Sequence, residues 1–188
     1  LLIGGILKGQ ELIANAQVAA TVAQAKGVDA AKSTFRDSYN ALPGDINNAN
    51  ARLPGCAANA VCAAAIGNGD GIIGAAGTNF AAATAAGTEN NRALIHLNFA
   101  DLVAGVDGSG NAVVGQGIPS APSGGGLSIG FFAGGAALGL NPAARGGHYL
   151  FITTPANTSG ALNASEAARI DRKMDDGAST SGSVFGQT

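Results

Sequence analysis

The chain of 188 residues is long enough for one domain with a real core, and two would be cramped. Its formal net charge of −2 and singly scattered Lys and Arg leave no basic footprint for nucleic acid. With 12% charged residues, 5% aromatics, no Trp and 30 glycines, it has few large side chains to pack. A modest core, much loop, and stability borrowed from a disulfide or from neighbouring subunits are expected.

The first element is a long helix. No proline interrupts Leu1 to about Tyr39, and apolar residues recur at helical spacing. Leu2, Ile6, Ile13 and Ala16 lie near one face, Val18, Val22 and Ala25 continue a stripe, and Val28, Ala31, Phe35 and Tyr39 extend it. Such a helix is roughly 60 Å long, more than the diameter of a small domain, so its front must project. That front is the apolar part: Leu1 to Leu7 carry no polar side chain. The run shows no basic n-region or cleavage site and is shorter than the roughly 20 residues needed to span a bilayer. It reads as the tail end of a longer span. Gly4, Gly5, Gly9 and Gly27 weaken the helix but permit close approach of other backbones. Pro43 and Gly44, in ALPGD, stop it.

Cys56 and Cys62 lie close together in LPGCAANAVCAAA, and His96 and His148 are too distant in sequence to suggest a zinc set. A small disulfide-closed loop fits, implying an oxidising compartment, with two buried thiols as the alternative. GNGDGIIG (67–74) lacks the Lys-Ser/Thr of a phosphate loop. Asn68 and Asp70 have the alternating spacing of calcium ligands, although Ile66 stands where a first carboxylate belongs; a plain glycine turn is the simpler reading.

A second helix is expected over Thr88 to Ala104, with Thr88 as N-cap, Glu89 favouring the dipole, and Gly105 ending it. Short apolar runs follow among Gly, Ser and Pro: AVV (112–114), LSIGFFA (127–133) and HYLFITT (148–154), read as antiparallel strands. ASEAARIDRKM (164–174) makes a third helix, DDGASTSG a turn, and SVFGQ a last strand. The fold class is α+β: a long N-terminal helix, 1–40, on a head, 41–188, with glycine-rich loops, two short helices and a small antiparallel sheet. Asn157 and Asn163 match the N-glycosylation acceptor pattern. No catalytic constellation can be assembled, so no enzyme and no cofactor are expected.

LLIGGILKGQELIANAQ, ALPGD, GNGDGIIG, LNFADLVAG and ARIDRKMDDGASTSGSV, in that order, resemble successive segments of type IV pilins and type II secretion pseudopilins. The family's cleavage-site glycine, methylated first residue and early glutamate are missing, and Glu11 is not that glutamate. The resemblance implies a helix held in the cytoplasmic membrane and then withdrawn into an extracellular filament of identical subunits. Leu1, Leu2, Ile3, Ile6, Leu7, Leu12 and Ile13 would be its assembly core. It also implies calcium near the C-terminus, where Asp171, Asp175 and Asp176 stand. A pseudopilin, or a monomeric membrane-anchored adhesin, are the alternatives.

Overall fold

The computed structural model describes residues 2–64, 67–74, 88–134, 144–154 and 161–186, with side chains from residue 4 onward. Helix α1 spans Leu2–Tyr39, 38 residues and about 57 Å at 1.5 Å per residue. It ends where Asn40 takes a left-handed φ of 47°, a conformation that asparagine tolerates at a helix C-terminus. Pro43 follows too closely for the helix to resume.

From Val18 onward α1 lies on the head. Val18, Val22, Ala25, Val28, Ala31 and Phe35 are buried at three- and four-residue intervals, and Tyr39 packs half-buried beyond them. The stripe meets two clusters. Val18 and Val22 pack with Ile170 of helix α5 (Ala164–Met174), while Ala25 to Phe35 join the main core. Thr21 reinforces the seam by donating its hydroxyl to Ser123 Oγ (2.9 Å) and accepting the Ser123 N–H (3.0 Å).

Residues 44–64 hold two four-residue helices, α2 (Ala49–Arg52) and α3 (Ala60–Ala63), and a 3₁₀ turn at Cys56–Ala58. Cys56 and Cys62 are disulfide-bonded and fully buried. Asn59 between them caps α3, its Oδ1 accepting the N–H groups of Val61 (3.0 Å) and Cys62 (2.9 Å). The bridge closes a small loop, so replacing both cysteines by alanine should cost only about 2 kcal/mol in denaturant unfolding. Intact mass without reductant should fall two hydrogens below that with it.

Helix α4 (Glu89–Phe99) begins at the expected Thr88 N-cap but stops short of Ala104. Asp101 turns left-handed (φ 56°), and the Leu102 N–H folds back to the Leu97 carbonyl (2.9 Å), which closes the last turn early. The sheet has two strands, β1 (Gly126–Phe132) and β2 (Gly147–Thr153), antiparallel with Leu127 opposite Ile152 and Ile129 opposite Leu150. Leu127 and Ile129 enter the main core, with Leu150 and Ile152 packed against its margin.

Two expected strands do not form. Val114 makes only an isolated bridge with Ile118, because the turn at Gly115–Gly117 brings the chain straight back on itself. At the end of the chain, residues 184–186 carry no strand; Asp175 takes the Val184 N–H (3.1 Å) that a ladder would use, and Phe185 sets its ring edge-on to Tyr149. Helix α5 keeps its expected bounds, opened by a capping box between Asn163 and Glu166. The described fold is thus α+β, a long helix and a two-stranded sheet.

Candidate functional site: the projecting half of the long helix

The part of α1 before Val18 extends past the head. Ile6 is 60% exposed, and Leu7, Leu12 and Ile13 are similarly open. Leu2 and Ile3 belong to the same helix, their side chains lying outside the described residues, as does Leu1. The helix therefore buries mostly small residues, Val and Ala, against its own head and exposes its largest aliphatic ones. That inverts the usual distribution.

The exposed residues are not spread evenly. At 3.6 residues per turn, Leu7, Lys8, Glu11 and Asn15 fall on or beside the line through Val18 and Val22, whereas Ile6, Leu12 and Ile13 fall on other sides. Lys8 and Glu11 form an exposed ion pair (2.8 Å), and Lys8 together with the more distant Arg169 holds the Glu11 carboxyl below its ordinary range. Arg169 of α5 also reaches Asn15 Oδ1 (3.4 Å). Glu11 and Asn15 on this strip lie toward Arg169 of α5, and Ile6, Leu12 and Ile13 lie on other sides of the helix. No helix among the described residues is long and apolar enough to cross a membrane.

The candidate ligands for calcium in GNGDGIIG are occupied with shaping their own loop. Asn68 Oδ1 accepts the Asp70 N–H (2.9 Å), Asn68 Nδ2 donates to Asp70 Oδ2 (2.9 Å), and Asp70 Oδ1 accepts the Ile72 N–H (2.9 Å). Two other carboxylates hold the loop from outside. Asp45, buried just after α1, accepts N–H groups from Gly69 (2.6 Å), Asp70 (3.1 Å) and Gly71 (2.9 Å). Glu89, at the start of α4, accepts those of Asn68 (3.2 Å) and Gly74 (2.8 Å). Burial raises the Glu89 pKa despite these bonds, and nearby Asp45 and Asp70 add to the rise. A side chain at Gly44 would collide with the Glu89 carbonyl, and Gly44 also has a φ of +88°, so glycine is required there.

Although the first turn of α4 is polar in sequence, Glu89 to Leu97 are all buried. Glu89, Asn90, Arg92 and His96 bind backbone groups, whereas the buried Asn91 side chain has no hydrogen-bond partner among the described residues. Asn90 Nδ2 donates to the Ile73 (3.2 Å) and Ile129 (3.0 Å) carbonyls. Arg92 donates to the Val61 and Ala64 carbonyls at the end of α3. Sequence reasoning missed these roles because the partners lie 15 to 39 residues away. His96 and His148 likewise accept backbone N–H groups, from Gly44 and Ile73.

At the other end of the head, Asp171, Asp175 and Asp176 bring one oxygen each within 4.8 Å of one another. Calcium takes six to eight oxygens, and these already accept hydrogen bonds from their own tail. Gly177 N–H bonds Asp171 (3.2 Å), Ser183 and Val184 N–H groups bond Asp175, and Ala178 N–H (2.8 Å) and the Ser181 hydroxyl (2.6 Å) bond Asp176. They fold residues 177–184 against the end of α5. Asn163 uses its Oδ1 to cap α5, accepting from Glu166 N–H (2.9 Å), and Asn157 lies outside the described residues. No family model matches the chain, and no curated protein or solved structure does.

Proposed function

We propose that this chain is the structural subunit of a helical filament of the type IV pilus kind, polymerised through the projecting part of α1 and displayed at the cell surface. The observation that carries it is the inverted helix, with Val and Ala against the head and Ile6, Leu7, Leu12 and Ile13 outward. Complete burial of such a side chain contributes about 1.5–3 kcal/mol. Four of them on each copy supply a substantial association energy once neighbouring helices cover them.

Their placement also favours a polymer over a closed dimer. The apolar residues lie on several sides of one rod while the polar strip rests toward α5, so more than one neighbour is needed to cover them. A repeated contact between unlike surfaces that does not close a ring generates a filament. The resemblance read from the sequence points the same way and adds a membrane-held stage before assembly. In this reading the chain has no catalytic role, and its partners are other copies of itself.

Electron microscopy of sheared surface material from producing cells, with the subunit identified by peptide mass, tests the proposal. Uniform filaments composed mainly of this chain are expected. Protein found solely as monomer in the membrane fraction would overturn it.

A further inference from the structure

The clamp beside the C-terminal end of α1 has two imidazole pins. His96 Nδ1 accepts the Gly44 N–H (3.0 Å) at the turn leaving α1, and His148 Nε2 accepts the Ile73 N–H (3.0 Å) at the far end of the 67–74 loop. Between them, Asp45 binds Gly69, Asp70 and Gly71. The two pins come from different elements, α4 and β2, and converge on one small region.

An imidazole can accept an N–H only through an unprotonated nitrogen. Once both nitrogens carry protons, the ring presents a donor to a donor. We propose that this clamp is an acid-released latch, in which protonation of His96 and His148 reverses both pins and frees the turn after α1 together with the 67–74 loop, while the α1–core seam stays closed.

The surroundings agree with that sign. His96 is almost completely buried, which lowers its pKa to about 4; the Cys62 carbonyl opposes the fall and the Arg92 charge adds to it. His148 is half-buried and lies edge-on to Phe131. Burial lowers its pKa, Lys32 of α1 lowers it further, and Asp45 opposes. Lys32, Arg36 and Asp37 share with His148 a cavity of about 310 Å³. Both imidazoles thus bind protons less tightly when pinned than when free. For His96 that stability is complete above the free value of about 6.5 and is lost as the pH falls toward about 4, and for His148 it is lost in the same direction below the free value. For His96 alone, opening becomes easier by about a hundredfold or more across that window. Glu89, with its raised pKa, acts in the opposite direction.

Amide hydrogen exchange, expressed as protection factors from pH 7 to pH 4, tests the latch. Gly44, Gly69, Gly71 and Ile73 should lose protection well before the α1 amides between Ala25 and Phe35. Simultaneous loss in both groups, or none in either, would overturn the proposal. In His148→Gln, whose side-chain oxygen accepts an N–H without titrating, Ile73 should keep its protection to lower pH. An unchanged pH midpoint at Ile73 in that variant would also overturn it. Proton NMR titration of the wild-type imidazoles gives a check independent of any substitution: ordinary values for both would contradict the latch.

Discussion

On the proposed function, replacing both Ile6 and Ile13 by Asp should abolish polymer while the head unfolds at the same denaturant concentration as the parent. Both side chains are about 60% exposed and touch no core cluster, so the isolated subunit loses nothing by their removal. In a filament, each substitution removes about 1.5–3 kcal/mol of burial and adds a carboxylate that must be desolvated at further cost. A repeating contact multiplies that loss at every subunit. Sedimentation of sheared material and denaturant unfolding of the purified chain read the two halves of the expectation. Intact filaments from the double variant would remove α1 from the assembly surface.

The opposite phenotype is expected of Phe35→Ala. Phe35 is fully buried, the largest such side chain of α1, and its ring lies 4.6 Å from that of Tyr39. Its truncation should cost about 3–5 kcal/mol, a large share of the roughly 5–15 kcal/mol typical of a domain. Thermal unfolding should fall by roughly 10 °C, given a few degrees per kcal/mol for a chain of this size. A loss below about 1 kcal/mol would show that the α1–core seam contributes little to the fold.

These two variants alter one continuous helix, and the sequence reveals the helix better than its division of labour. The proline-free run to Leu42 and the three- and four-residue spacing of Val18 through Phe35 make α1 legible. The point at which it leaves the head is less so, because Ile13 and Val18 belong to one apolar pattern. Among the described apolar residues of α1, the exposed large aliphatics are Ile6, Leu7, Leu12 and Ile13, and every Val is buried. Helix α5 and strands β1 and β2 were readable from local pattern, the strands as short apolar runs with aromatic residues between Gly, Ser and Pro.

The clamp was not readable in that way. Asp45 lies 24 residues from Gly69, and His96 lies 52 residues from Gly44. Periodicity describes which face is apolar, whereas a buried carboxylate or imidazole is explained only by the backbone group that reaches it. A different local failure occurs just after α4. Ala112, Val113 and Val114 have strand composition, yet the turn at Gly115–Gly117 returns the chain before a partner strand can align. Local propensity lost there to turn geometry.

Thiol labelling at position 13 tests the central claim most directly. The chain's two cysteines are bonded to each other, so in Ile13→Cys a maleimide reports on the new thiol alone. In the dispersed subunit, where Ile13 is 61% exposed, labelling should be fast. In assembled filaments it should be suppressed by about tenfold or more, the exclusion expected of a covered helix face. An identical probe at the exposed head position Ser179 should label equally in both states. Equal labelling at position 13 before and after assembly would show that the apolar sides of α1 remain in solvent, and would contradict a filament held together by that helix.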